Sequence, residues 1–574
     1  LSQILTVDIL CVGGGAAGAM AAVTAAQAGA KVGIMTKDEL ANGNMRIAGG
    51  IVASVNSIDA DSETAFADDI LRAGEFLSNP LLVKAAVEGS RQANLLLEEW
   101  GHIYRRDGKG NISPLSVIKP GGHSLARTLT CENQGMSLAT TFRSAIAREA
   151  VCCWENTLVL DLVVEDGKVL GALGYNIIDG NLLFVRAKAV ILATGGGGMI
   201  FSPQTDNTRS ATGDGYALGY AAGLPLVDME QIQWLPFGVA KPASLRGINI
   251  GDTSDAGPRG VLVNSEGEVV LRGVATCTRS AVTRTIAREN RAGRGGPNGG
   301  LFLDATANLD DPVGKAFLAQ LQARGVLGPV RAAYGPKAYA WTEPYEVLPT
   351  QHFFCGGVQV DADGRTALAN LYAVGEVTGG IHGADRLGSV ALCDSIVFGH
   401  RAAMHAVEGF DEEKPADDSV ILPYLDGARK RIESVLARSC GTLPILLKAE
   451  LGRAMAEKVG CVRDKAGLEE ALQMVLSLGE KADSVYVPAG RTYNMALVDY
   501  FELEYMLVCA EAVIRCSLAR EESRGSHFRE DYPQRDEGLD FRSVIAYRGA
   551  NGKMLTRLEE MGERFVNQVE GAKI

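Results

Sequence analysis

At 574 residues the chain is longer than one hydrophobic core usually sustains, and it implies roughly four domain-sized units around a shared site. Its 47% hydrophobic and 22% charged composition belongs to a globular protein rather than a disordered or fibrous one. A formal net charge of −13 excludes a broad basic surface for nucleic acid or anionic membrane, so any cationic site must be local.

Strongly apolar runs such as 189–193 and 390–393 fall far short of the ~20 residues that span a bilayer, so no membrane span is expected. The N-terminus lacks a basic region followed by an apolar stretch and a small-residue cleavage site. The 11 cysteines include no C-x-x-C pair, and adjacent Cys152 and Cys153 suit neither zinc nor an iron–sulfur cluster. They read as mostly buried thiols of a reducing, cytoplasmic compartment.

The first segment, VDILCVGGGAAGAMAAVTAAQAGAKVGIM, predicts a buried strand, a glycine turn, an alanine-rich helix and a second strand. Gly13, Gly15 and Gly18 satisfy G-x-G-x-x-G: the first permits the tight turn, the second lets backbone approach a pyrophosphate, and the third lets helix pack on strand. Ala16 and Ala17 open the helix, whose free N–H groups face the phosphates. The second strand ends in Thr36 and Lys37, where many dinucleotide folds place an acidic residue for the ribose, which disfavours a nicotinamide cofactor.

From Leu158 short strands joined by Asp166-Gly167 and Asp179-Gly180 turns predict a small meander inserted into the nucleotide fold. It ends in AVILATGGGG, where a strand runs into Ala193, Thr194 and Gly195 and lets backbone lie close to a ligand. A third segment carries a strand into Gly375 and Glu376 and then a helix beginning near Ser389, with Ala391 and Leu392 in its first turn. Three separated glycine-rich strand ends are most simply one site for an extended dinucleotide. Between the last two, Val261–Arg272 and RENRAGRGGPNGG predict an inserted lid domain, and after Glu412 the pattern becomes helical, notably over Lys465–Gly479 and Asp499–Arg520.

In order, ATGGGGMIF, NTRSATGDGYALGYAAGLPLVDME, HFFCGGVQVD, LYAVGEVTGGIHGADRLG and LAREESRGSHFREDYP resemble the flavoproteins of the succinate dehydrogenase and fumarate reductase family, in whose superfamily aspartate oxidase also lies. The resemblance covers about residues 7–533. It implies an α/β fold: a Rossmann-like FAD-binding domain (1–238 and 351–412), an inserted α+β capping domain (239–350), a C-terminal helical domain (413–530) and an extension (531–574). It implies FAD at the junction of the nucleotide and capping domains, with hydride passing between the flavin N5 and a carbon beside a carboxylate. Gly49, Gly50 and Asp214 join the expected cofactor contacts.

The same resemblance makes His352 and Arg386 a carboxylate clamp, Arg386 also touching the cofactor, and makes Arg279 the proton donor. Each has a plainer alternative: a satisfied core histidine, a helix-end counter-ion and a solvated helix residue. Within these motifs the functional reading is preferred. His382 is assigned to flavin or to structure.

Two departures matter. Residues 42–50 contain no histidine, so covalent flavin attachment is not expected and FAD is expected to bind noncovalently. In MEQIQWLPFGV, Leu235 and Phe237 replace the histidine and threonine of the family's H-P-T-G, and Asp252, Thr253, Asp255 and Arg259 are the possible substitutes for its acidic relay. Neither Leu235 nor Phe237 can hold a carboxylate. The expected substrate is a small molecule with one carboxylate or acyl group at His352 and Arg386 and an apolar or bulky substituent towards Trp234, Leu235 and Phe237. Alternatives are an electron-transfer subunit with a decayed substrate site, an amino-acid oxidase, or a protein using FAD structurally. Without cluster cysteines or a nicotinamide domain, electrons are expected to pass to or from an iron–sulfur or other electron-transfer subunit, which could also provide any membrane association. The C-terminal segment REESRGSHFRE is left open between docking that partner and bracing the flavin domain.

Overall fold

The computed structural model describes residues 2–561 except 50, 51, 56–60, 105, 107–109, 111–116, 132, 324 and 410–416, so the expected contact Gly50 lies outside the described residues. The strand β1 (Ile9–Val12), the helix α1 (Ala16–Gln27) and the strand β2 (Val32–Met35) form the predicted βαβ unit. They are joined by β3 (Cys152–Trp154) and β4 (Ala189–Leu192). The capping sheet opens with β5 (Ile232–Val239), is packed by α2 (Arg279–Arg291) and closes with β6 (Tyr345–Phe354). The chain then returns through β7 (Leu371–Ala373) and α3 (Val390–Glu408).

The nucleotide sheet has the order β7-β4-β1-β2-β3 and is parallel throughout, with Ile9 opposite both Val32 and Ala189. A parallel sheet needs cover on both faces. One cover is α1 against α3, where a methyl on Gly399 would stand 2.6 Å from the Ala17 carbonyl oxygen; glycine is what lets the two helices approach. The meander pairs Thr157–Glu165, Lys168–Asn176 and Leu182–Arg186 antiparallel, and Ser2–Thr6 adds alongside. Its tight turn carries Asp166 at φ 50° and Gly167 at φ 74°, as an Asp-Gly hairpin requires.

In the capping sheet β5 pairs antiparallel with β6, which continues through Leu301–Asp304 to Val261–Val263 and Val269–Leu271. Register shifts follow Gln233 and Leu235, so simple alternation of side chains breaks in the strand whose family motif is altered. The helical region consists of Asp418–Leu436, Pro444–Lys458, Lys465–Ala482 and Met495–Ala519. Asp464 and Asn494 cap the last two by accepting from Gly467 N at 2.9 Å and Leu497 N at 3.2 Å.

From residue 531 to 561 the chain is woven in. Arg542–Arg548 pairs with Met554–Glu560 and, on its other edge, with Leu226–Val227. Apart from exposed Glu521, the motif from Arg520 to Arg529 is buried: Arg520 bridges Asp228, Glu230 and Glu522, and Ser526 donates from N at 2.9 Å and from Oγ at 2.6 Å to the Ala384 carbonyl. That places REESRGSHFRE as a brace behind the loop carrying Arg386.

Candidate active site

The dinucleotide cradle is made by backbone proximity. Gly13 sits at φ 112°, and a methyl there would stand 2.2 Å from the Ala193 carbonyl oxygen; one on Gly18 would stand 2.0 Å from the Gly13 oxygen. Hydrogen bonds from Gly13 N to Met35 O (2.8 Å) and from Ala193 N to Val12 O (2.8 Å) tie the two glycine-rich strand ends together. Gly15 differs: nothing lies within 4 Å of a methyl placed on it, and it precedes α1 without a side-chain cap. The first-turn N–H groups, beginning with Ala16 and Ala17, are thus left to a ligand.

The neighbouring predicted residues converge on this region. Gly195 (φ 75°) faces open space, and Thr194 has a buried Oγ1 with no protein partner. Glu376 follows Gly375 (φ 74°) and accepts from Phe354 N at 3.1 Å; burial, only partly offset by that bond and by Arg386, pushes its carboxyl up to about 7. Ser389 caps α3 at φ 62° with no side-chain bond, so the first turn holding Ala391 and Leu392 is also unblocked. The open glycine face, the unblocked helix ends and the lone hydroxyl fit the phosphates and polyol of a flavin dinucleotide.

The remaining candidates also make contacts within the protein. Thr36 is buried and uses its backbone to bond Trp154 O (3.0 Å) and Thr157 N (2.8 Å). Lys37 is brought together with Asp214, but they pair with each other at 3.0 Å, and Lys37 also meets Glu502 at 2.8 Å and Thr212 Oγ1 at 2.6 Å. Burial would lower the ammonium's pKa, but the two carboxylates outweigh it and hold it above the ordinary range. The pair joins the nucleotide fold to the helical region. Gly49 stands by Gln134, 3.6 Å from Oε1 to a methyl placed on it.

On the substrate side Arg279 opens α2, after Thr278 caps it by accepting from Ala281 N at 3.2 Å. Its guanidinium forks onto Asp252, with Nε at 3.1 and 3.0 Å from the two oxygens and Nη2 at 2.5 Å. Burial would raise the Asp252 carboxyl, but Arg279 and the Thr253 N–H hold it below the usual carboxylate range. A methyl on Gly388 would lie 3.8 Å from Arg279 Nη2, so the cation reaches the loop that carries Arg386. Arg386 is buried, with Cζ 4.8 Å from the Phe353 ring centroid, Nη1 donating to Leu387 O at 3.0 Å and Nε unpartnered. Burial and then Arg279 depress its pKa to about 10. Gln233 steadies this loop through Nε2, which donates to Asp385 Oδ1 at 2.5 Å and Arg386 O at 2.8 Å.

His352, 31% exposed, is held by Asp206 at 2.8 Å from Nδ1 to Oδ2. His382 lies 3.5 Å from Asp394 and meets Phe353 edge-on at 5.1 Å, a buried place beneath the clamp. Of the altered-motif residues, Trp234 packs against Phe201 with centroids 5.1 Å apart, and Phe237 fills the capping core with Val239 and Ile250. The side chains of Trp234 and Phe237 are thereby used in packing. Leu235 is buried and its backbone pairs with Thr350, two residues before His352. Among the substitutes for the relay, Asp252 reaches Arg279; Asp255 accepts from Asp252 N at 2.8 Å, and Arg259 turns to Asp311 at 2.8 Å.

Residues 8–392 match the family model described as an FAD binding domain, and residues 448–564 match the one described as fumarate reductase flavoprotein C-term. The chain belongs to the fumarate reductase flavoprotein family. One polypeptide of the fumarate reductase (CoM/CoB) from Methanothermobacter marburgensis is 35% identical, covering 93% of this chain and 96% of its own. The solved FrdA of Escherichia coli quinol fumarate reductase, in a mutant form, matches with a TM-score of 0.87 at 28% identity, over 97% of each chain. The Sdh1 complex of Mycobacterium smegmatis gives 0.86 at 30% identity, over 97% of this chain and 95% of that one. The fold is the expected FAD-binding domain with a C-terminal domain, and the cofactor is FAD.

Sequence reasoning missed Asp206, which lies outside the family motifs and meets His352 only through a loop 146 residues earlier in the chain. It also missed Gln233, although its position inside the altered motif was a usable signal. Among the described residues no helix is long and apolar enough to cross a membrane, and no group of three His, Cys, Asp or Glu side chains is placed to hold a metal.

Proposed function

We propose that the protein is a FAD-dependent oxidoreductase acting on a carbon–carbon bond adjacent to a carboxyl or acyl group, with an apolar or bulky substituent on the substrate. The observation that carries this reading is the approach of the Arg279 guanidinium to the Arg386–Gly388 loop, which sets a proton-bearing cation beside an anion clamp.

FAD, when bound, supplies the two-electron hydride exchange with the substrate carbon. Gly13, Gly15, Ala16, Ala17 and Gly18 would hold its phosphates, with Thr194, Gly195, Glu376 and Ser389–Leu392 along the rest. With no histidine over residues 42–50, the binding is noncovalent. Arg386 takes the carboxylate or acyl oxygen and stabilises the charge that grows there as the double bond is reduced. Arg279 gives a proton to the neighbouring carbon; so weak an acid needs a strongly basic carbanion, and Asp252 holds the guanidinium in place and is positioned to return the proton. His352 is oriented by Asp206 and completes the clamp. Leu235 gives the substituent an apolar neighbour.

The Methanothermobacter relative is one component of an enzyme of several polypeptides, which supports a separate electron donor or acceptor here, an iron–sulfur or other electron-transfer protein. A cytoplasmic location, with membrane contact made only through such a partner, goes with this reading. The test is anaerobic: flavin is reduced chemically in the isolated protein, and 2-enoates with alkyl or aryl substituents are added. Rapid reoxidation with formation of the saturated acid is expected. Reduction by dithionite without reoxidation by any 2-enoate or enoyl compound would instead support a relay function.

A further inference from the structure

Two guanidinium groups and an imidazole make up the substrate side, and they differ in the carboxylates that already face them. Arg279 is forked onto Asp252, with both side chains largely enclosed, at 17% and 25% exposure. His352 is on Asp206 at 2.8 Å. An imidazole and a carboxylate in such contact carry a net charge of zero or −1, whichever protonation state the ring holds. Neither pair offers net positive charge to an incoming anion.

Arg386 is the exception. Among the described residues, no carboxylate lies within ion-pairing distance of it, and its Nε is buried with no partner. The nearest acids on its own loop and on the cofactor side are otherwise engaged: Asp385 accepts from Gln233, and Glu376 from Phe354 N. Burial raises the pKa of both carboxyls. A buried N–H without a partner is a place for an acceptor, and a guanidinium edge suits the two oxygens of a carboxylate.

Resting on the oxidoreductase reading, we infer that Asp206 and Asp252 are specificity determinants that restrict the site to a monoanion, a substrate with one carboxylate, bound at Arg386, whose remaining substituents are uncharged. A dicarboxylate would bring a second negative charge to pairs that are already neutral, and its second carboxylate would stand beside a carboxylate of the protein.

The inference is tested on the oxidised, FAD-loaded full chain with saturated acids that cannot turn over. Binding of butyrate and succinate is followed by perturbation of the flavin spectrum and by equilibrium dialysis. For the unaltered protein, butyrate is expected to bind at least tenfold more tightly than succinate. In Asp206→Asn and, separately, Asp252→Asn, the ratio of succinate affinity to butyrate affinity should rise at least tenfold. Flavin content and melting temperature of each variant establish that it is folded, and two independent variants guard against the loss of either. Arg386→Gln should abolish binding of both acids. Equal binding of succinate and butyrate, or folded aspartate variants with unchanged discrimination, overturns the inference. The functional reading fails separately: if no enoate or enoyl compound reoxidises the flavin yet the binding pattern holds, the charge argument stands and the assigned reaction does not. If fumarate is turned over in preference to crotonate, the reaction stands and the monoanion inference falls.

Discussion

The dinucleotide cradle and the substrate side sit at neighbouring strand ends of one molecule, yet the first is specified by backbone and the second by charge. In the cradle the decisive distances are from glycine positions to carbonyl oxygens, as at Gly13 to Ala193 and Gly18 to Gly13. No other residue type fits there, so the sequence can say little else. On the substrate side the decisive distances run between side chains on different elements: Arg279 to Asp252 and His352 to Asp206. Such pairs can change one partner at a time without breaking the fold. A backbone site therefore keeps its cofactor while a charge site beside it drifts to a new substrate, which is why membership of the family fixes FAD more firmly than it fixes what is reduced.

The largest effect is expected where the cradle has no slack. Gly13→Ala forces a methyl to 2.2 Å from a backbone oxygen at φ 112°, and the cost should exceed about 3 kcal/mol. Purified protein should lack flavin and melt at a much lower temperature. Next, on the charge side, Arg279→Gln should retain flavin and melting temperature yet lower turnover of an enoate about 10³-fold, the usual weight of a positioned proton donor. A fall in flavin content as large as the fall in rate would show that the two regions are not separable.

The two regions should also answer pH in opposite directions. Asp252 is held below the ordinary carboxylate range, so its contribution to stability is complete above the unfolded value of ~3.9 and lost as pH falls through the folded value. Asp252→Asn should cost about 3 kcal/mol at pH 7, by leaving Arg279 enclosed and unpaired, and that deficit should shrink in acid. Glu376 is raised from 4.5 to about 7, so the fold favours its protonated form. Its contribution is complete below the unfolded pKa and declines as pH rises towards 7. Glu376→Gln in the flavin-free protein should flatten that decline, leaving the variant more stable at pH 8 by up to roughly 3 kcal/mol. Denaturant melts between pH 3 and pH 8 read both, and parallel slopes for variants and parent would refute them.

What was legible in the sequence divides along the same line. The βαβ opening, the Asp-Gly hairpins and the helix after Ser389 were readable because turn chemistry and apolar periodicity are local. Of the catalytic candidates, Arg279, His352 and Arg386 could be placed by their motifs. Their partners could not: Asp206 lies 146 residues from His352, and Asp252 lies 27 from Arg279, with nothing local to mark the pairing. Trp234 and Phe237 looked like pocket residues because their strand holds an altered motif, but the shifts of register after Gln233 and Leu235 accompany packing of both rings into cores. Lys37 is read as a cofactor contact, and its ion pairs with Asp214 and Glu502, the second from a helix far along the chain, were not legible. The brace formed by Arg520–Arg529 was visible as a motif, while its purpose needed the contact with Ala384.

The smallest effect on the fold, and the sharpest version of the contrast, comes from another glycine of the same loop. Gly15 has nothing within 4 Å of an added methyl and φ −75°, a conformation that alanine adopts freely. Gly15→Ala should therefore leave the melting temperature of the flavin-free protein within experimental scatter of the parent, unlike Gly13→Ala two residues away. Its methyl instead enters the space assigned to the pyrophosphate, where close backbone approach is what the glycine permits. FAD affinity, measured by titration of the flavin-free protein, should fall at least about tenfold, which corresponds to ~1.4 kcal/mol. If affinity is unchanged, the open face at Gly15 is not where the phosphates lie, and the cradle must be drawn instead around Thr194 and Gly195.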